Sequence, residues 1–281
     1  MPTKRRRRRL AAVTLVAVVG LGVGIYVAAR HAPQILGETG CTAGAGGSAV
    51  ALDPEQAEIA ATIAGVAHHR RMPSRAVTVA YAAAMQESHL HNLDYGDRDS
   101  VGIFQQRPSQ GWGPAGKLID PVYASTKFFR ALAQVHGYQR MPVYQAAQAV
   151  QHSADGYAYA QYQTLAANLT TAFTGAPRAV WCWPPGPTTG QAALAPARRA
   201  IVKAFGPLSA GQSATGGDAP SLQVQAPQPS LGWSVAAWLV THAGKYKLHE
   251  VRYGGFRWPA PAGHTGWVKD AGGPAGSVFA S

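Results

Sequence analysis

The chain has 281 residues and is strongly basic, because 25 Lys and Arg residues against 13 Asp and Glu residues give a formal net charge of +12. Its only cysteines are Cys41 and Cys182, and the absence of a CxxC motif excludes a cysteine-rich metal cluster. Much of the basic charge lies in Lys4 and the run 5–9, while the other basic residues are scattered. This pattern predicts no nucleic acid binding.

The basic run precedes an uncharged apolar segment, residues 10–29. A segment of this length can cross a bilayer as a helix, and a positive flank favours a cytoplasmic N-terminus. We therefore predict a cytoplasmic tail (1–9), a transmembrane helix (10–29) and a stalk (30–49), in a single-pass cell-membrane protein with extracytoplasmic domains. A cleaved signal peptide is the alternative, because residues 27–29 resemble a small-residue cleavage site.

Helix start signals recur through the middle of the chain. The predicted helices begin at Asp53-Pro54, Ser74, Asp120-Pro121 and Pro142, and the last is marked by apolar residues from Tyr159 onwards. The second of these helices ends near Glu87. Residues 92–116 hold glycines and acids without a helical period, which predicts a small hairpin beside a cleft.

Composition divides the rest of the chain. Residues 50–178 are long enough for one sizeable core, and 179–207 form a segment after this domain. Residues 208–231, rich in Gly, Ser, Pro and Gln, predict a flexible linker. Residues 232–281 predict a small α/β module, whose dense aromatic residues either stack on sugar rings or form its own core.

The two cysteines flank the predicted domain, since Cys41 precedes it and Cys182 follows it. If the chain is exported, an oxidising compartment allows a disulfide to persist. We therefore predict a disulfide that joins the two ends of the domain.

Glu87 ends an alanine-rich apolar segment and is followed by Asp94, Asp97 and Asp99. Cleavage of a glycosidic bond requires a carboxylic acid that protonates the leaving oxygen. Apolar surroundings keep a carboxylic acid protonated because they disfavour its charged form. The sequence therefore predicts that Glu87 is a general acid at the edge of a cleft. The alternatives are a solvated glutamate at a helix end, and a polar turn for the three aspartates.

The motif 87–90, ESHL, is followed by the segment 100–105, SVGIFQ. These residues resemble the Glu-Ser and Gly-Leu-Met-Gln motifs of soluble lytic transglycosylases, in the lysozyme-like superfamily. The longer segment 102–113 is similar to exported actinobacterial proteins with a transglycosylase-like domain. The resemblance covers roughly residues 54–175. With the flanking segments it predicts a mainly α protein: a lysozyme-like α+β domain with a small hairpin lining a cleft, preceded by one transmembrane helix and followed by a linker and a small α/β module.

The resemblance implies that Glu87 is the general acid of a muramidase or lytic transglycosylase. The expected substrate is the glycan strand of peptidoglycan, and no cofactor is expected. Asp99 is the candidate second carboxylate. The predicted substrate-binding residues are Ser88, Gln105, Gln106, Trp112 and Gln148.

Two departures from the family pattern leave the mechanism open. Ser100 stands where animal-type lysozymes have an aspartate, and Asp99 lies one residue earlier. The Ala-Tyr-Asn motif of transglycosylases is absent, and the comparable segment 147–153 reads AQAVQHS. If Asp99 reaches the far side of the bond, hydrolysis is expected, with carboxyl separations of about 5 Å for retention and about 6.5–9.5 Å for inversion. Otherwise Glu87 acts alone, and the substrate's own hydroxyl attacks to form an anhydro sugar.

Two other functions fit the sequence. The first is a catalytically silent wall-binding or scaffold protein that keeps the lysozyme-like cleft, since both departures remove family residues. The second is an exported metal-binding protein, because His68-His69, His89 and His91 offer imidazole ligands. The sequence has no HExxH motif, which argues against a zinc peptidase site.

Overall fold

The computed structural model describes residues 40–44, 46–153, 155–183, 190–213, 220–270 and 276–281. The helices within them are α1 (Pro54–His69), α2 (Ser74–Ser88), α3 (Ala115–Leu118), α4 (Pro121–Gln134), α5 (Val143–Gln151), α6 (Gln163–Phe173), α7 (Leu194–Phe205), α8 (Pro229–Thr241) and α9 (Ala243–Tyr246). The strands are β1 (Gly40–Ala43), β2 (Val50–Leu52), β3 (Val180–Trp183), β4 (Ala210–Ser213), β5 (Ser221–Gln225), β6 (Glu250–Tyr253), β7 (Phe256–Pro259), β8 (Val268–Lys269) and β9 (Ser277–Ala280).

The helix starts follow the local signals in the sequence. At α1, the backbone N–H of Gln56 donates to Asp53 at 2.9 Å, and the backbone N–H of Asp53 donates to the Gln56 side chain at 3.0 Å. This reciprocal pair is a capping box. At α4, Asp120 accepts from the backbone N–H of Val122 at 3.0 Å. The predicted helix starts at Asp53-Pro54 and Asp120-Pro121 are confirmed.

The helices α1 and α2 lie at the centre of the fold. α1 packs against α4, α7 and α8, and α2 packs against α5 and α6. Small alanine side chains at five of the eleven buried positions of α2 allow this close approach. The hydroxyl of Tyr81 donates to the carbonyl oxygen of Ala60 at 2.8 Å, which joins the two central helices inside the core.

Two antiparallel sheets pack against the helices, the larger one against α7 and α8. The first has three strands in the order β2-β1-β3, and Cys41 lies directly opposite Cys182 in it. These cysteines form a disulfide, so the predicted pairing is confirmed. The second sheet has six strands in the order β4-β5-β9-β6-β7-β8.

The predicted fold class is wrong. We predicted a mainly α protein with one small hairpin, whereas the structure is about 50% helical and has two antiparallel sheets of three and six strands. Within 92–116 the expected hairpin is replaced by turns closed by a single bridge between Val101 and Gln106. Pairing between short strands distant in the sequence, such as β5 with β9, produces the larger sheet. Local periodicity does not reveal such pairing.

The predicted linker, 208–231, contains β4 and β5, and α8 begins within it at Pro229. Residues 39–281 form one compact unit, so the predicted module 232–281 is continuous with the rest. Its tryptophans serve the core: Trp238 and Trp258 are 2% and 0% exposed. Of the two alternatives for these aromatic residues, core packing is the one observed.

The structure does not support the predicted localisation, a single-pass cell-membrane protein with extracytoplasmic domains. In the part of the chain that the structure describes, no helix combines the length and the apolar character needed to cross a membrane. The predicted span, 10–29, lies outside the described residues, as does the tail 1–9.

Candidate functional site

Glu87 lies one residue before the end of α2, and it is half-buried. The helix ends because His89 and Leu90 adopt left-handed backbone conformations, with φ of 53° and 61°. Their N–H groups donate to the carbonyls of Met85 and Ala84, each at 3.2 Å, which closes the last turn. Leu90 is fully buried and anchors this turn. The position of Glu87 is therefore fixed by the helix end.

Tyr159 holds one oxygen of Glu87. Its hydroxyl donates to Glu87 Oε1 at 2.7 Å, and its ring is fully buried. Burial raises the pKa of the Tyr159 phenol, and the adjacent Glu87 raises it further. The phenol therefore keeps its proton and acts as a donor. Among the described residues Glu87 has no other hydrogen-bond partner, so Oε2 is open to a ligand.

The segment that carries Tyr159 is attached to the end of α2 at two further points. The side-chain amide of Gln161 donates to Gln86 Oε1 at 3.2 Å. The hydroxyl of Tyr162 lies 3.3 Å from His89 Nε2, and the two rings meet edge to face. These contacts on both sides of Glu87 keep the Tyr159 hydroxyl in place.

The turn 101–106 reaches the same helix end through Ser88. The buried Ser88 hydroxyl lies 2.9 Å from the carbonyl oxygen of Ile103 and 3.1 Å from that of Ala84. The side-chain amide of Gln151 donates to the carbonyl oxygen of Phe104 at 2.8 Å. Ser88, predicted to bind substrate, instead positions the turn beside Glu87.

Gln105 is folded back onto its own loop. Its side-chain amide donates to the carbonyl oxygens of Tyr95 and Gly102, both at 3.2 Å. A Cβ atom at Gly96 would lie 1.9 Å from Gln105 Oε1 and 2.7 Å from the backbone carbonyl oxygen of Ser100, so glycine is favoured there. The half-buried Gln105 lies beside Tyr95, whose side chain is 68% exposed. This pair is accessible to a ligand.

Gln106 and Trp112, also predicted to bind substrate, are buried to different degrees. Gln106 is 1% exposed, and its amide donates to the carbonyl oxygen of Ala124 at 3.3 Å. Interior packing makes it a structural residue and not a substrate contact. Trp112 is half-buried against the core, so only part of its ring faces outwards.

Gln148 joins the polar network that ends at Glu87. The hydroxyl of Ser153 donates to Gln148 Oε1 at 2.8 Å, and the Gln148 amide donates to the Ser153 carbonyl oxygen. Ser153 also interacts with the phenol of Tyr159 and lowers its pKa, against the larger effect of burial. The network therefore runs from Gln148 through Ser153 and Tyr159 to Glu87.

Asp99, the candidate second carboxylate, holds the loop together. It accepts from Arg107 Nε at 2.9 Å, and from the backbone N–H and hydroxyl of Ser109 at 2.7 and 2.9 Å. The hydrogen bond with Arg107, followed by that with the Ser109 backbone, lowers the pKa of Asp99 to about 2. Both of its carboxylate oxygens are thus engaged by hydrogen bonds within 99–109.

The role of Asp99 predicts a pH-dependent loop. Its pKa falls from 3.8 to about 2 on folding, so the ion pair stabilises the loop above the higher value and is lost as the pH falls through the lower. We expect amide protection factors in 99–109 to drop in this interval. Asp99→Asn should lower them already at neutral pH, and unchanged protection in that variant would contradict this role.

Two tyrosines lie shortly before residues of this network in the sequence. Tyr144 and Tyr157 are stacked with ring centroids 5.0 Å apart. Tyr157 is 71% exposed, and its backbone N–H donates to Asp155 at 2.8 Å. Flat, exposed rings match the apolar faces of sugars, and Tyr157 lies two residues before Tyr159.

Two of the histidines considered as metal ligands, His89 and His91, have other partners. His89 contacts Tyr162. His91 Nδ1 lies 3.0 Å from Glu55 Oε2, and its Nε2 lies 3.5 Å from Asp53 Oδ2. Over the described ranges no group of three or more His, Cys, Asp or Glu residues is arranged to hold a metal ion.

The structure thus brings together Glu87, Ser88, the turn with Gln105, and Gln148. The sequence did not predict Tyr159 as a site residue, because its contact with Glu87 spans 72 positions and no local pattern marks it. A comparison with protein-family models finds no match, and a comparison with curated proteins finds no match either.

Proposed function

We propose that this protein is a glycosidase that cleaves the glycan strands of peptidoglycan, with Glu87 as the general acid. The observation that carries the proposal is the hydrogen bond of 2.7 Å from Tyr159 to Glu87 Oε1 at the end of α2. It orients a half-buried carboxyl group and leaves Oε2 for the leaving oxygen. The motif resemblance around Glu87 supplies the substrate class.

The proposed reaction begins with transfer of the proton from Glu87 to the glycosidic oxygen. The bond between that oxygen and the anomeric carbon then breaks, with positive charge developing on the sugar ring. The resulting carboxylate of Glu87 stabilises this charge and accepts a proton in the second step. The Tyr159 hydroxyl stays protonated throughout and donates to Oε1.

The hydrogen bonds of Asp99 favour a second step without a second carboxylate. Because Asp99 is held by Arg107 and Ser109, we propose that Glu87 acts alone. The substrate's own hydroxyl attacks the anomeric carbon, its proton returns to Glu87, and an anhydro sugar forms without consumption of water. This is the lytic transglycosylase reaction and not hydrolysis.

Exposed aromatic rings support binding of a saccharide. Tyr157, stacked on Tyr144, and Tyr95, beside Gln105, are the most exposed large rings among the described residues. A sugar ring stacked on Tyr157 and a sugar hydroxyl that donates to Gln105 Oε1 would hold the strand near Glu87. The glycan strand is the proposed partner.

The test is incubation of the full chain with purified peptidoglycan sacculi. A fall in turbidity together with soluble glycan fragments is the expected result. Cosedimentation with sacculi without any released fragment would replace the proposal with the catalytically silent wall-binding alternative. Absence of both binding and release would contradict both functions.

Tyr159→Phe tests the orienting hydrogen bond. We expect a rate of fragment release about 10- to 100-fold lower, because a small misplacement of a catalytic group is costly. The unfolding free energy should fall by only about 1 kcal/mol, as for one hydrogen bond. Tyr81→Phe, which also removes one buried tyrosine hydrogen bond but no contact of Glu87, is the matched control and should release fragments as wild type does. Equal rates in wild type and Tyr159→Phe would exclude the orienting role.

A further inference from the structure

A cavity of about 410 Å³ lies among α1, α4, α7, α8 and α9, and Glu87 does not line it. This size is in the range of small-molecule sites. Its lining combines carboxylates, lysines and aromatic rings, and none of these groups takes part in the proposed glycosidase reaction. The cavity therefore needs an explanation of its own.

Charges of both signs line the cavity. The carboxylates belong to Glu55, Glu58 and Asp120, and the ammonium groups to Lys203 and Lys245. Two of the acids have direct hydrogen bonds: Asp120 accepts from Lys203, and Glu55 accepts from the backbone N–H of Asn92 at 3.0 Å.

The charged groups of Glu58 and Lys245 lie farther apart than those of Asp120 and Lys203. Lys245 Nζ lies 3.9 Å from Glu58 Oε2, which is beyond hydrogen-bond distance. Neither group has a hydrogen bond with another side chain in the described ranges. Burial raises the pKa of Glu58, and the nearby Lys245 opposes this shift. Both members of the pair can accept a closer partner of opposite charge.

Stacked rings form one wall. His242 lies on Trp238 with centroids 3.8 Å apart, and Tyr246 continues the stack at 6.2 Å from His242. Burial lowers the pKa of His242 to about 3, so the ring is neutral. Because His242 Nδ1 lies 2.8 Å from the carbonyl oxygen of Trp238, it carries the proton, and Nε2 is an acceptor.

The lining restricts the chemistry of a ligand. An anion would meet three carboxylates, and a cation would meet two lysines. An apolar molecule would displace water from these five charged groups without giving them new polar partners. A zwitterion avoids these costs because each sign finds its opposite. An alkyl chain between its charges would lie along the ring wall.

We propose that this cavity binds a zwitterion in which a short hydrocarbon chain separates an ammonium from a carboxylate, as in an ω-amino acid. The ligand's ammonium pairs with Glu58 and donates to His242 Nε2. Its carboxylate pairs with Lys245. The inference does not depend on the glycosidase proposal.

The test is isothermal titration calorimetry of the full chain with three probes of equal carbon length: ε-aminocaproate, caproate and hexylamine. We expect saturable one-to-one binding of ε-aminocaproate. Each single-charge probe should bind at least about tenfold more weakly, which corresponds to about 1.4 kcal/mol. Equal affinity for the three probes, or no saturable binding of ε-aminocaproate, would overturn the proposal.

Substitutions of cavity residues test whether ε-aminocaproate binds in this cavity. Glu58→Gln and Lys245→Met should each weaken ε-aminocaproate binding at least about tenfold. Glu250→Gln and Lys269→Met, which do not line the cavity, are the matched controls and should bind as wild type does. Circular dichroism verifies that each variant is folded. Wild-type affinity in both cavity variants would exclude this site.

Discussion

Glu87→Gln should lower the release of glycan fragments from purified sacculi by about 10²- to 10⁴-fold, the usual contribution of a general acid. Glutamine keeps the shape of the side chain and can still accept from the Tyr159 hydroxyl. It cannot deliver a proton to the leaving oxygen. Turbidity and soluble fragments should be followed together with binding to sacculi, which we expect to persist.

Glu250→Gln is the control for this variant. Glu250 lies in β6 and pairs with Arg252 at 2.8 Å. Because it takes no part in the proposed reaction, loss of its charge should leave fragment release unchanged. If Glu87→Gln releases fragments as fast as wild type, Glu87 is not the acid. If both variants lose activity equally, general damage to the fold and not proton transfer is responsible.

Removal of the disulfide by Cys41→Ala with Cys182→Ala should lower the free energy of unfolding by about 2–5 kcal/mol. The bridge closes a loop of 141 positions, and a long loop gains much conformational entropy in the unfolded chain when it is opened. The bridge also joins β1 to β3, so it anchors the three-stranded sheet. Urea unfolding followed by tryptophan fluorescence measures the change.

Reduction of the wild-type protein provides an independent comparison, because it breaks the same bond without altering a side chain. Reduced wild type and the double variant should show similar unfolding midpoints. A loss below about 1 kcal/mol, the typical effect of an average substitution, would show that the bridge adds little to the fold.

The helices could be predicted because their signals are local. The side chains of Asp53 and Asp120 cap helices that begin at the next residue. The strands could not be predicted in the same way. β5 and β9 pair through residues such as Leu222 and Ala280, and each strand is too short for a clear alternating pattern.

The packing of α1 runs across the boundary expected at residue 178. α1 packs on α4, inside the predicted domain, and also on α7 and α8, beyond it. Its buried positions run almost around the whole helix, including Ile59, Ile63 and Val66. A helix buried on several sides needs partners from more of the chain than one linker-bounded domain supplies.

The candidate site was predicted in part. Glu87 and its adjacency to the turn 101–106 followed from a short motif. The directions of the side chains could not be predicted from this motif. Gln105 lies at the loop surface, whereas the next residue, Gln106, packs in the core. Tyr159 required the tertiary structure, since α3, α4 and α5 separate it from the loop in the sequence.

The mass of the fragments that the full chain releases from purified sacculi tests the central claim most directly. We expect chain ends that carry an anhydro sugar, lighter by one water than the hydrolysed product, and absent when Glu87→Gln replaces wild type. Ordinary reducing ends would point to hydrolysis and to a second group acting with Glu87. Sacculi left without new chain ends would contradict glycan cleavage by this protein.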